Sequence, residues 1–336
     1  MKFVIDSNIP RLAEIIRTHR PEIEVVTLPA AQITPDAVRD ADALIVRTRT
    51  ACNEALLKGS AVKFVGTATI GMDHIDADFC SREGIAVANA PGCNAPAVMQ
   101  YVAAALLSAG FDPQSHTLGV VGKGNIGSLV TDLFRRAGTR VLVCDPPRAD
   151  RGEDDEAYLS LPELLAQADA VTLHVPLSLP GEATYPTFNL LNAGNAGLLK
   201  PGAVVVNASR GSVVEESVIR SGADSLRLII DTWPFEEGGS SDAREEMIRR
   251  SFIATPHIAG YSLSGKLRAT AAMIHRLNEF FGLDIPDVGL PDYSFKTTPY
   301  DLETVAASYD ILADSEALKA VPGQFEALRN GYKLRE

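Results

Sequence analysis

Short apolar runs recur along this 336-residue chain, and each stops at a polar or glycine-bearing segment. In the first part they fall at 2–5, 23–27, 43–46, 62–65 and 85–88. Runs this short, without the alternation of a half-wet sheet, predict strands buried on both faces. Apolar positions at helical spacing predict a helix over 11–19. A second series follows, with strands over 117–121, 140–144, 170–173, 203–206, 227–230 and 252–254 and helices over 126–137 and 161–167. Ala-rich composition favours a helix over 95–108, and a longer helix is expected over 262–281. Strands alternating with helices predict an α/β protein with two doubly wound parallel sheets.

The boundary between the two series falls near 95–115. Residues 284–336 carry Pro286, Pro291, Pro299 and Pro322 between helical pieces and are expected to form a small accessory or subunit-contact segment. No internal repeat or low-complexity tract stands out. Hydrophobic residues make up 46 % of the chain and charged residues 22 %, which suits a packed core rather than disorder. A net charge of −12 argues against a general nucleic-acid binder. Cys52, Cys80, Cys93 and Cys144 are too scattered for a metal pair or a disulfide framework, so reduced thiols in a cytoplasmic protein are expected. The opening apolar run meets Asp6 at once, unlike a signal peptide, and 101–107 is too short to cross a bilayer. Neither a metal nor a membrane partner is expected.

One glycine loop changes the picture. Gly122-Lys123-Gly124-Asn125-Ile126-Gly127 follows a predicted strand and opens a predicted helix, the context a dinucleotide fingerprint requires. Gly122 allows the tight turn, Gly124 lets a pyrophosphate approach the backbone, and Gly127 lets the helix pack on the sheet. Helix-start N–H groups favour the anion. Asp145, ending the next strand, suits the ribose hydroxyls and repels a 2′-phosphate, which points to NAD; Arg148 and Arg151 pull the other way. The bland alternative is a glycine turn in an α/β sheet. A Walker-type loop is absent.

Three polar groups follow later strands. His257 could exchange a proton with a hydroxyl or carbonyl. Glu236 could orient that imidazole, with Glu237 and Asp231 as rivals. Arg210 could hold a substrate carboxylate through two parallel hydrogen bonds. Taken singly, each is as easily a structural residue or a surface ion pair; their shared place at strand ends in the cofactor-bearing half favours function. His174 could line the cofactor pocket. His74, between Asp73 and Asp76, imitates a metal site but reads better as capping or packing.

The order Gly122–Gly127, Asn207-Ala208-Ser209-Arg210-Gly211, Asp231-Thr232-Trp233 through Glu236, and Thr255-Pro256-His257-Ile258-Ala259-Gly260 resembles the D-isomer-specific 2-hydroxyacid dehydrogenases over roughly 1–283. The resemblance implies a Rossmann-type cofactor domain inserted into a discontinuous substrate domain: 1–95 and 261–283 for substrate, 96–260 for NAD, and 284–336 as an accessory, dimer-forming segment. It implies Arg210, Glu236 and His257 as catalytic residues. A narrower similarity, to the erythronate-4-phosphate dehydrogenases of vitamin B6 synthesis, rests on Val46-Arg47-Thr48, Lys63 through His74, Ala90 through Ala95, Cys144 through Gly152, His257 through Ser262, and the tail's Val321-Pro322-Gly323, Phe325 through Arg329 and Tyr332. By position it implies substrate contacts from Thr48, Thr69 and Tyr261, with Arg47 a candidate for the phosphate. Gly122, Gly124, Asn125, Ile126, Gly127, Asp145, Val175, Ala208, Ser209, Arg210, Asp231 and Gly260 would line the cofactor.

The implied reaction is NAD-dependent oxidation of 4-phospho-D-erythronate, a phosphorylated small 2-hydroxy acid, by a homodimer, with a 2-oxo acid as candidate acceptor. The alternatives are a phosphoglycerate, glycerate or lactate dehydrogenase, or a NAD-sensing corepressor-like protein. The chain departs from the family pattern at Val175, where threonine is common, at Ser209, where cysteine occurs, and at Pro234-Phe235, which replace an acid and a glycine. It also ends at Glu336, before the longer extension of some relatives.

Overall fold

The computed structural model describes residues 1–152, 154–222, 224–238, 243–293 and 297–336, with only the backbone of Glu237. The chain forms two compact units. The first comprises Met1–Asn94 and Ser262–Phe295, with Glu336; the second comprises Ala95–Tyr261 and Lys296–Arg335.

The first unit holds a five-stranded parallel sheet, ordered β2-β1-β3-β4-β5. Its strands are β1 (Lys2–Asp6), β2 (Glu24–Leu28), β3 (Ala43–Val46), β4 (Phe64–Thr67) and β5 (Ala86–Ala88). Every residue of the central β3 and β4 is buried, whereas the edge strand β2 is partly wet. This is the pattern of a parallel sheet covered on both faces. The helix Leu263–Phe281 packs on one face: Phe281 meets Phe3 at 5.3 Å and Phe280 meets Phe64 at 5.2 Å between ring centroids. Ser262 caps it by accepting from the Gly265 N–H at 3.0 Å, and Gly282 ends it at φ 64°.

Strand bounds agree with expectation to within a residue except at β4. The apolar run predicts β4 over 62–65, but the ladder pairs Ala43 with Phe64 and Val46 with Thr67. Val62 is buried before the ladder begins. Gly66 and Thr67, read as loop, continue the strand; a side chain at Gly66 would meet Met273 Sδ at 3.0 Å, so glycine makes room there.

The second unit holds a six-stranded parallel sheet, ordered β11-β10-β9-β8-β6-β7. Its strands are β6 (Thr117–Val121), β7 (Arg140–Cys144), β8 (Ala170–Leu173), β9 (Val204–Asn207), β10 (Arg227–Ile230) and β11 (Ile253–Ala254). The chain starts at β6, steps outward to β7, then returns to β8 on the other side. That reversal opens a crevice at the carboxyl ends of β6 and β8, where open α/β sheets bind ligands. Although β11 is an edge, both its residues are buried. Helix Ile311–Ala320 covers it, and Ser315 Oγ accepts from the Ala254 N–H at 3.0 Å. A buried edge thus finds its hydrogen bond in the tail rather than in another strand.

Candidate active site

The glycine loop leaves β6 as its spacing predicts. Gly122 has φ +88°, and an added Cβ would lie 2.5 Å from the His174 carbonyl oxygen. An added Cβ at Gly127 would lie 1.9 Å from the Gly122 oxygen. Both positions therefore exclude a side chain. At Gly124 a Cβ would meet nothing within 4 Å, and the helix Asn125–Arg136 starts directly after it. The loop thus presents an open backbone face at a helix N-terminus, which fits the pyrophosphate of a dinucleotide. Val175 is partly buried and walls Gly122, so its contribution is packing.

Asp145 caps the next helix and grips the loop. Its two oxygens accept from the Lys123 N–H at 2.7 Å and the Arg148 N–H at 3.1 Å, and each keeps a lone pair for a hydroxyl. Arg148 is turned away from the role of a phosphate clamp. Its guanidinium donates to the Lys123 carbonyl at 2.7 Å and to Asp154 at 3.2 Å. This geometry favours ribose hydroxyls over a 2′-phosphate. His174 Nε2 lies 3.0 Å from Thr172 Oγ1, and burial lowers its pKa to about 3, so the ring stays neutral.

Past β9, Asn207 folds the chain back on itself. Its amide donates to the Arg210 carbonyl at 2.9 Å, while its side-chain oxygen accepts from the Ser209 N–H at 3.2 Å and hydroxyl at 2.9 Å. Ser209 is therefore spent on the turn that presents Arg210. Ala208 is buried beside it.

The structure brings two of the three catalytic candidates into direct contact. His257 Nδ1–H donates to Glu236 Oε2 at 2.8 Å. The imidazole is about one-third exposed and the carboxylate only 13 %. Burial pushes the Glu236 pKa up, but the His257 hydrogen bond and charge, the Arg329 guanidinium and the Trp233 N–H outweigh it, so the carboxyl lies below its ordinary range. His257 itself sits at φ +57°, a left-handed conformation that costs about 1–3 kcal/mol for a residue other than glycine.

What holds that turn is Asp231. Its carboxylate is buried and accepts three hydrogen bonds: Oδ1 from Thr255 Oγ1 at 2.7 Å and the Ile258 N–H at 2.8 Å, Oδ2 from the Ala259 N–H at 2.9 Å. The Tyr101 hydroxyl donates in turn to Thr255 Oγ1 at 2.8 Å. Of the rival partners for His257, Asp231 is thus occupied beneath the loop, and the Glu237 side chain lies outside the described residues. Trp233, fully buried, joins the two halves of the pair: its N–H donates to Glu236 Oε1 at 3.0 Å and its indole N–H to the Thr255 carbonyl at 2.9 Å.

In the first unit, Arg47 and Thr48 follow β3 and Thr69 follows β4. Thr69 Oγ1 hydrogen-bonds Thr67 Oγ1 at 2.6 Å, and His74 Nε2 reaches the same Thr67 at 3.1 Å. His74 is a packing residue there, and Asp76 caps a helix through the Phe79 N–H. Burial lowers the pKa of Lys266, and the Arg47 guanidinium lowers it further, which marks a small basic region. Among the described residues no group of His, Cys, Asp and Glu could hold a metal, and no helix is long and apolar enough to cross a membrane. All four cysteines are buried free thiols; burial raises Cys52 to about 12 and Cys93 and Cys144 to about 11.

Two arginines of the tail went unassigned in the sequence. Arg329 donates to Glu236 Oε2 at 2.9 Å and to the Tyr261 hydroxyl at 3.3 Å. Arg335 is buried and donates to the carbonyls of Ile258 and Ala259. The tail resemblance covered Arg329, but nothing in its spacing disclosed what it touches.

A dinucleotide-type sheet with a carboxylate–imidazole pair beyond its last strand defines an NAD-dependent hydroxyacid dehydrogenase. Accordingly, residues 101–259 match the D-isomer specific 2-hydroxyacid dehydrogenase, NAD binding domain. Erythronate-4-phosphate dehydrogenase of Bacteroides fragilis is 41 % identical over the whole of this chain and 97 % of its own length. The Proteus mirabilis enzyme of that name is 37 % identical, over the whole chain and 92 % of its length. Among solved structures, NAD⁺-bound 3-phosphoglycerate dehydrogenase of Entamoeba histolytica is 25 % identical with a TM-score of 0.68, covering 85 % of this chain and 97 % of its own. D-lactate dehydrogenase of Aquifex aeolicus, at 23 % identity and a TM-score of 0.65, covers 83 % and 95 % and shares the fold. The chain belongs to the erythronate-4-phosphate dehydrogenase family of the D-isomer-specific 2-hydroxyacid dehydrogenases.

Proposed function

We propose that this protein oxidises the 2-hydroxyl of 4-phospho-D-erythronate to give 2-oxo-3-hydroxy-4-phosphobutanoate. The observation that carries the chemistry is the 2.8 Å contact from His257 Nδ1 to Glu236 Oε2. It fixes the tautomer, leaving Nε2 as the lone pair that takes the hydroxyl proton. NAD, when bound, supplies the hydride acceptor. As the proton arrives, Glu236 stabilises the imidazolium, as a buried carboxylate beside a developing positive charge does. Arg210 holds the substrate carboxylate and draws electron density from the forming carbonyl. Gly122, Gly124, Asn125, Ile126 and Gly127 cradle the pyrophosphate, and Asp145 takes the ribose hydroxyls. Arg47, Thr48, Thr69 and Tyr261 serve as substrate contacts. For Arg47, the nearby Lys266 supports a phosphate as the group it meets.

The substrate assignment rests on relatives at 37–41 % identity over the whole chain. Its test is turnover by the purified protein of 4-phospho-D-erythronate, D-glycerate, 3-phospho-D-glycerate and D-lactate with NAD or NADP. Each is assayed with and without a 2-oxo acid, because retained NADH would conceal net turnover. Oxidation of phosphoerythronate well above the others is expected. Folded protein that binds NAD and prefers an unphosphorylated acid would overturn the assignment.

A further inference from the structure

The C-terminal segment reaches the Glu236–His257 pair through the carboxylate. Within the second unit, helix Phe325–Asn330 is anchored by Phe325, which is buried and meets Phe235 edge-on at 5.3 Å. Phe235 in turn stacks on Trp233 at 5.7 Å. One turn after Phe325, Arg329 donates to the same oxygen, Glu236 Oε2, that receives His257 Nδ1–H. The other oxygen, Oε1, receives the Trp233 N–H. Three donors from three places in the sequence therefore fix the orientation of the carboxylate. Arg335 completes the clamp, with its guanidinium on the carbonyls of Ile258 and Ala259, whose N–H groups are held by Asp231.

We propose that Arg329 is a positioning residue for the Glu236–His257 pair, and that residues 325–335 are thereby a working part of the catalytic unit. The inference rests on the reading of His257 as the proton acceptor. Physically, an arginine on the distal side of the carboxylate does two things. It stops Glu236 from rotating its lone pair away from Nδ1, since a fixed guanidinium occupies the other direction of Oε2. It also places a positive charge beside the pair, which tempers how strongly Glu236 favours the imidazolium. The hydrogen bond from Arg329 Nε to the Tyr261 oxygen leaves the phenolic proton to point elsewhere. Among the described residues, the charged and titratable groups around Arg329 include Glu236, His257, Tyr261 and Glu326, with Tyr332 packed on Tyr261.

The test is Arg329→Met and Arg329→Lys in the full chain, with His257→Asn alongside. NAD binding is read by fluorescence, and kcat, KM and the pH profile of kcat/KM by NADH absorbance. R329M is expected to bind NAD as the parent does and to lose kcat about ten- to hundredfold. Its acid limb should move up by about half a pH unit to one unit, because removing a cation makes the imidazole easier to protonate. R329K keeps the charge and should return the acid limb to its place while recovering only part of kcat, since an ammonium cannot bridge two acceptors in one plane. Where R329M does not fold, Arg329→Gln carries the same reading: it offers a donor without the charge, and the acid limb should still move up. Turnover within about twofold of the parent and an unmoved acid limb in R329M or R329Q would overturn the inference. So would an R329K indistinguishable from R329M, the mark of a merely structural residue. H257N separates this from the reading beneath it. Loss of turnover in H257N with R329M unaffected removes only the positioning role, whereas an H257N that turns over normally removes the proton acceptor itself.

Discussion

Replacing Asp231 tests whether the catalytic turn is held by a buried carboxylate. In Asp231→Ala, Thr255 Oγ1 and the N–H groups of Ile258 and Ala259 lose their common acceptor. A hydrogen bond to an ionised acceptor contributes about 1.5–3 kcal/mol. Three that share one carboxylate do not add, so the expected loss of stability is about 3–5 kcal/mol, the scale for breaking a buried charged network. Asp231→Asn should cost less. Its oxygen can keep the two donors now on Oδ1, but its NH₂ then faces the Ala259 N–H, so that one bond is lost and donor faces donor, about 1–3 kcal/mol. Both variants release a histidine held at φ +57°, so kcat should fall about ten- to hundredfold. The assay is built into the chain: Trp233 is the sole tryptophan, and its indole N–H is bonded to the Thr255 carbonyl. Its fluorescence during urea unfolding reports on this region directly. If Asp231 instead serves chiefly as a cofactor contact, D231N would weaken NAD binding and leave the unfolding midpoint in place. That result would refute the reasoning.

Gly127→Ala places a Cβ on the Gly122 carbonyl and should abolish NAD binding or soluble yield, whereas Gly124→Ala, facing open space, should keep the parent's stability and weaken NAD about tenfold or more, read by isothermal titration. For Glu236, the folded pKa is depressed below its ordinary value of 4.5, so its pairing stabilises the protein fully above that value and the contribution is lost as pH falls through the folded value. The gap in urea midpoint between the parent and Glu236→Gln should therefore close on acidification, and a gap that stays constant from about pH 7 to about pH 3 would contradict it.

Most of the sheet architecture is legible in the sequence for a simple reason. A strand buried on both faces is apolar at nearly every position, and β3, β6, β8 and β9 are buried throughout with only Thr117, Thr172 and Asn207 polar. The displaced β4 shows where that logic stops. Burial marks Val62 but does not say which residue pairs, and Gly66, which pairs with Ile45 and Ala88, is a glycine because Met273, far along the chain, fills the space above it. The tail is illegible for the same reason. Its helices are broken by prolines and carry no strong apolar stripe, and Ser315 matters only because β11 needs an acceptor at its unpaired edge.

The site divides along the same line. Gly122, Arg210 and His257 can be read because each follows a strand and its chemistry is local to its motif. The groups that hold them are set by tertiary contact: Asp231 serves a turn built around β11, and Arg329 serves Glu236 from the tail. The departure at Pro234-Phe235 is informative in this light. An acid and a glycine there would offer no ring, yet Phe235 is stacked on Trp233 and met edge-on by Phe325. Phe235 thus gives the tail an anchor, and the anchored helix sets Arg329 against Glu236. Beside Glu236 it is packing of Phe325 on Phe235, rather than a neighbouring charged side chain in the sequence, that brings a guanidinium to the carboxylate.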